Sequence, residues 1–81
     1  MKKLKLYSRG CDMHNALHSL VLMMMRESEF RQLEFEDIID LNRIADSGAH
    51  ILPTLRVGDK NIVEGAVPSY EKLKNSVRTA L

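Results

Sequence analysis

The hydrophobic pattern opens on a short alternation. Leu4 and Leu6 alternate with Lys3, Lys5 and Tyr7, the period-two signature of a strand, and Ser8-Arg9-Gly10 breaks it. From Met13 the period lengthens. Leu17, Leu20, Val21 and Met24 recur at helical spacing, which predicts a helix that buries this stripe and ends near Glu27. Leu22 and Met25 fall outside the stripe, as partly exposed residues or as contacts for a partner. His18 on the same helix reads as an exposed polar residue. Alternation returns over Arg31 to Ile39, with Leu33, Phe35 and Asp37 facing one way and Gln32, Glu34, Glu36 and Ile38 the other. This predicts a second strand, although its acids weaken the local propensity. Asp40 is placed to cap a short helix through Ala45, with Leu41, Ile44 and Ala45 inward and Gly48 as its stop.

Ile51-Leu52-Pro53-Thr54-Leu55-Arg56-Val57 reads as a strand entered through proline. Gly58-Asp59-Lys60-Asn61 is turn chemistry leading into Ile62-Val63-Glu64. Gly65 ends that strand. Pro68 or Ser69 opens a last helix whose face carries Tyr70, Leu73, Val77 and either Ala80 or Leu81. The order is β-α-β-α-β-β-α. Two strands joined through a helix should be parallel, with a right-handed crossover, and a tight hairpin makes the last two antiparallel. The expected architecture is α/β, a four-stranded mixed sheet flanked by helices.

Composition narrows the function classes. Eighty-one residues suit a single domain spanning 1–81. The formal net charge is +1, and acidic and basic residues are interleaved. The only basic cluster, Met1-Lys2-Lys3-Leu4-Lys5, belongs to a strand, so there is no nucleic-acid footprint. The longest apolar run, Leu20 to Met25, is far short of the roughly 20 residues that span a bilayer. No secretory signal pattern precedes the first strand. One cysteine cannot form an internal disulfide. A cytoplasmic, reducing setting is therefore expected, with the chain a monomer or weak dimer.

That cysteine carries the chemistry. Cys11-Asp12-Met13-His14 lies between the first strand and the first helix, where unpaired backbone N–H groups and the helix dipole favour a thiolate, the reactive form of sulfur. The dipole contributes about 0.3–1 kcal/mol, which leaves a thiol of ordinary pKa only partly ionised at neutral pH. Asp12 opposes ionisation. His14, three residues on, shares the helical side and can act as imidazolium or as hydrogen-bond donor; the alternative is a plain polar residue of the first turn. Cys11 and His14 are also a metal half-site, but two ligands do not close a zinc site, and a third would have to come from His50 or a second subunit. Otherwise His50 is a solvated loop residue. Met23-Met24-Met25 spreads around the helix and cannot converge on one ion, so these residues are packing. No resident metal is expected.

A strand, a cysteine at a helix start in Tyr7-Ser8-Arg9-Gly10-Cys11, the segment Leu52-Pro53-Thr54-Leu55, a glycine-containing hairpin, Gly65 and a closing helix together resemble the thioredoxin superfamily. The compact size is most similar to glutaredoxins and small thioredoxin-like proteins. The resemblance implies a thioredoxin-like, glutaredoxin-size fold with Cys11 as nucleophile. His14 then stands where the family has its resolving cysteine, so a mixed disulfide on Cys11 needs an outside thiol, glutathione or a partner's cysteine, to resolve it. His14 would serve as proton donor to the leaving thiolate. Pro53 matches the family's cis-proline and would leave the Leu52 backbone open to a thiol-bearing peptide. Arg9 stands where the resemblance implies a basic residue that pairs with a carboxylate of glutathione, and Gly65 matches the glycine of the segment before the last helix; the acids that accompany it in glutaredoxins are missing from Gly65-Ala66-Val67-Pro68-Ser69, where Ser69 or its backbone N–H at the helix start would substitute. The implied function is thiol–disulfide exchange through one cysteine in a groove beside Pro53. Its partners would be a thiol- or disulfide-bearing protein or glutathione, with glutathione as co-substrate and no resident cofactor. The alternatives are a non-catalytic binding module and a glutathione-dependent iron–sulfur carrier.

Overall fold

The computed structural model describes residues 3–10 and 12–81. Strand β1 (Lys3–Tyr7) is followed by helix α1 (Asp12–Met25) and a single 3-10 turn at Ser28–Phe30. Strand β2 (Glu34–Ile38), helix α2 (Leu41–Ser47), strands β3 (Thr54–Val57) and β4 (Lys60–Glu64), and helix α3 (Tyr70–Ala80) complete the chain. The strands form one mixed sheet in the order β2-β1-β3-β4. β1 runs parallel to β2, with Tyr7 opposite Ile38, and antiparallel to β3, with Tyr7 opposite Thr54. The β3–β4 hairpin turns through Gly58-Asp59, and its register slips at Leu55/Arg56. The parallel β1–β2 pair and the antiparallel β3–β4 hairpin are the expected ones; the antiparallel β1–β3 pairing, which sets the strand order, is fixed by the fold.

Alternation along β1 divides its residues between two apolar clusters. Leu4 and Leu6 are sealed, together with Leu55, Val57 and Val63 of the hairpin, under Leu17, Val21 and Met24 of α1 and Leu73, Val77 and Ala80 of α3. On the opposite face Tyr7, Ile38, Ile44 and Ala49 form a smaller cluster, with Leu52 packed against it. Of the stripe read from α1, Leu17, Val21 and Met24 are sealed and Leu20 is half-buried; Met25 is half-buried and Met23 exposed. Leu22 is 45% exposed. On α3 the terminal choice falls to Ala80, while Leu81 is exposed.

Several boundaries differ from expectation. The segment read as the start of the second strand at Arg31 is preceded by the 3-10 turn, which drives Phe30 fully into the main core. β2 itself begins only at Glu34. β3 begins at Thr54 rather than Ile51. Lys60 and Asn61, read as turn, pair in β4 opposite Val57 and Arg56. α2 is capped as expected: Asp40 Oδ1 accepts the backbone N–H groups of Asn42 (2.8 Å) and Arg43 (3.2 Å). Gly48 ends the helix at φ 79°, a left-handed conformation that glycine adopts without steric cost. Its inward face is narrower than expected, however. Ile44 alone is buried, while Leu41 is 58% exposed and Ala45 faces solvent. The patch offered by Tyr7, Ile38 and Ala49 takes a single side chain, and the first turn of α2 falls beyond it.

Charged contacts tie the elements at the rim. Glu36 of β2 accepts from Lys3 of β1 (2.9 Å) and Arg43 of α2 (2.6 Å). The Arg43 guanidinium, and then the Lys3 ammonium, lower its carboxyl from 4.5 to about 2. At the far end of α1, Glu27 accepts the Tyr70 hydroxyl and lies 3.2 Å from Lys74 Nζ. The Tyr70 bond, followed by the Lys74 ammonium, lowers the Glu27 carboxyl, and the same bond raises the Tyr70 phenol.

Two predictions follow from this packing. Leu6→Ala removes a fully buried side chain from the central strand and is expected to cost about 2–5 kcal/mol, whereas Leu41→Ala should stay within about 0.5 kcal/mol; urea unfolding of both variants checks the contrast. For Glu36 the folded carboxyl titrates below its unfolded value, so the unfolded chain binds the extra proton. The stabilisation is complete above 4.5 and drains away as pH falls toward about 2. Glu36→Gln should therefore lower the urea midpoint at neutral pH and flatten its acid dependence in that window, and a midpoint-against-pH curve parallel to wild type would contradict this.

Candidate active site

The candidate site lies at the end of the sheet where β1 and β2 finish and β3 begins. Parallel pairing brings the chain out of Tyr7 and Ile38 side by side, and the Ser8 backbone N–H donates to the Ile38 carbonyl at 3.1 Å. The chain then turns through exposed Arg9 and Gly10 and enters α1 at Asp12. Cys11 lies outside the described residues. It is the residue immediately before the first residue of α1.

His14 sits in the first turn of α1 and is only 8% exposed. Its Nε2 lies 2.9 Å and 3.0 Å from the two carboxylate oxygens of Asp37 on β2. The other ring nitrogen, Nδ1, is buried and has no hydrogen-bond partner among the described residues. The side-chain hydroxyl of Ser8, also fully buried, has none among them either. His18, one turn further along α1, approaches the same carboxylate at 3.8 Å. It stands edge-on to His14, with ring centroids 5.8 Å apart, and tilts over Phe35 at 5.5 Å. The reading of His18 as a free surface residue is thus corrected: it is half-buried and belongs to a two-imidazole, one-carboxylate cluster. Helical spacing of four residues placed it there, and the alternation of β2 turned Asp37 toward α1.

On the other side of the sheet end, the Leu52–Pro53 peptide bond is cis, as the resemblance implied. Pro53 is buried, and Leu52 is half-buried against the Tyr7–Ile38 cluster. The Thr54 hydroxyl donates to the Ile51 carbonyl. Gly65 closes this turn from the β4 side, its N–H donating to the Pro53 carbonyl at 2.8 Å. Its φ is +70°, and a Cβ there would lie 2.7 Å from Cγ2 of Ile51. Ser69 is the N-cap of α3, accepting the Lys72 N–H at 3.2 Å. Arg9 is exposed and pairs with no carboxylate among the described residues, and His50 is exposed as expected. The fold therefore brings Leu52, Pro53 and Gly65 together and sets His14 against β2. Gly65 and Ser69 already serve the Pro53 turn and the helix cap.

Among the described residues no group of three or more His, Cys, Asp or Glu is arranged to hold a metal ion, and no helix is long and apolar enough to cross a membrane.

This layout, a β1-α1 junction facing a cis-proline turn across a β2-β1-β3-β4 sheet, is that of a thioredoxin fold. The family model described as thioredoxin domain matches residues 2–78, and the chain belongs to that family. No curated protein and no solved structure matches the chain.

Gly65→Ala combines the left-handed backbone with the Ile51 contact. Because Ile51 is 52% exposed its side chain has room to turn aside, so the conformational term should dominate, at about 1–2 kcal/mol. Thermal unfolding of the variant beside wild type measures it.

Proposed function

We propose that this thioredoxin-fold protein carries out thiol–disulfide exchange through one cysteine. Cys11 attacks a disulfide held beside the Leu52–Pro53 turn, His14 assists the proton movement, and an outside thiol resolves the mixed disulfide. The observation that carries the reading is that the chain's only cysteine immediately precedes the first helix of a thioredoxin domain. A thiolate at such a position gains from the helix dipole and the free N–H groups of the first turn. With no second cysteine in the chain, the mixed disulfide can be released only by intermolecular exchange.

Glutathione is the small thiol that fits this cycle best. Arg9, exposed and without a carboxylate partner among the described residues, supports capture of a carboxylate by a guanidinium fork. The Gly65 N–H is already committed to Pro53, so recognition on that side falls to Ser69, whose hydroxyl hydrogen remains free to donate.

A second reading, a binding module without exchange chemistry, draws support from Ile39, Leu41 and Ile51. These apolar residues are each more than half exposed, and they lie on segments leaving the same end of the sheet.

Incubation with oxidised glutathione followed by intact-mass measurement separates the two. The exchange reading expects one glutathionyl adduct on wild type, none on Cys11→Ser, and release by added thiol. A Cys11 that forms no adduct, or that alkylates with an apparent pKa at or above the ordinary thiol value of about 8.5, selects the binding module instead.

A further inference from the structure

The alternation that seals Leu4 and Leu6 turns Lys3, Lys5 and Tyr7 to the opposite face of the sheet. On that face α2 covers only the end that carries Tyr7 and Ile38, and the rest is open among the described elements. At the centre of the open half, Lys5 of β1 stands directly opposite Arg56 of β3. Directly opposed side chains project to one face, and two like charges so placed repel and weaken the pairing. Neither cation is matched to a carboxylate among the described residues. Glu36, in register with Lys5 on the β2 side, is already held by Lys3 at 2.9 Å and Arg43 at 2.6 Å.

The Arg56 guanidinium is held in place. Its Nε donates to Asn61 Oδ1 at 2.7 Å, and its Cζ lies 5.0 Å from the centroid of the buried Tyr7 ring. These contacts occupy one N–H and one face of the planar group. Both terminal amino groups are left without a partner among the described residues. A guanidinium edge of this kind donates two parallel hydrogen bonds to a carboxylate, and fixing it beforehand lowers the ordering cost of binding.

We infer that the open half of this sheet face docks an acidic segment of a partner protein, with one carboxylate on the Arg56 fork and the next on Lys5. The inference is independent of the exchange reading above. Two adjacent cations call for more than one negative charge, which a run of Asp or Glu supplies and a single chain terminus does not. The positive strip is also narrow. Glu34 and Glu36 border it on β2, and Glu64 flanks it opposite Thr54. A nucleic-acid backbone carries charge at every step and would run over these carboxylates, whereas a short acidic segment fits between them.

The test uses the full chain, labelled with nitrogen-15 and titrated with a hexaglutamate peptide at low ionic strength. Amide shifts should move at Lys5, Arg56 and Asn61, and added salt should weaken the binding. Arg56→Gln should weaken it on the order of ten- to hundredfold. Arg56→Lys keeps the charge but loses the fork, and should still weaken it on the order of tenfold. Arg26→Gln, an equal change of charge at an exposed residue just beyond α1, should bind as wild type does. Should Arg56→Gln fail to fold, Lys5→Gln carries the test: it relieves the repulsion, so its thermal midpoint should not fall while the peptide binds more weakly. Four results would each overturn the inference: no binding, equal weakening in Arg26→Gln, shifts clustered away from Lys5 and Arg56, or tighter binding of an oligouridylate than of the peptide.

Discussion

β1 must be paired on both edges and covered on both faces at once, and the other elements are arranged around that requirement. Lys3 to Tyr7 take β2 in parallel on one side, and Leu4 to Tyr7 take β3 antiparallel on the other. Leu4 and Leu6 are sealed beneath α1 and α3, while Tyr7 is held under the opposite face with Ile38 and Ile44. A central strand gains apolar burial on two sides and satisfies its backbone along two ladders, so a slip of one residue would exchange the leucines for lysines in the main core. The parallel partner requires a crossover, and α1 supplies it. The position of that helix's first turn at the end of β1 is a consequence.

The candidate chemistry is placed by the same constraint. Because β1 and β2 end together, the entry to α1 stands beside the last residues of β2, and the odd-numbered side chains of β2 face the helix. Phe35 and Asp37 thereby meet His18 and His14. On the far side β3 starts opposite Tyr7, which sets the Pro53 turn at the same end of the sheet. Gly65 fits against it because its backbone is left-handed and it has no side chain to meet Ile51. A proposed one-cysteine exchange centre would therefore be assembled from elements whose spacing is decided by the sheet.

Much of this is legible in the chain. Strand alternation, the helical stripe Leu17–Val21–Met24, the Asp40 cap with its Gly48 stop, and the Ser69 start of α3 all express local chemistry, and each appears where that chemistry puts it. The errors fall where tertiary packing overrides a local pattern. Leu41 and Ala45 have helical spacing to Ile44, but the second cluster has room for one side chain. Phe30 lies in a stretch with no clear period, and only the main core explains its complete burial. Lys60 and Asn61 look like turn residues and yet pair in β4, because the hairpin closes on Gly58-Asp59 alone.

What the sequence by itself determined is the order of elements, the pairing directions that this order permits, the main apolar stripe and the placement of a lone cysteine before the first helix, since all of these are written in periods of two and 3.6 residues and in turn chemistry. Only the tertiary structure decided what His14 is. On the chain it is a polar residue in a helix's first turn. Folded, it is a buried ring with one nitrogen on Asp37 and the other without a partner among the described residues, because the partner arrives from another strand, and the relative phase of a helix and a strand brought together by packing is not a local property of either.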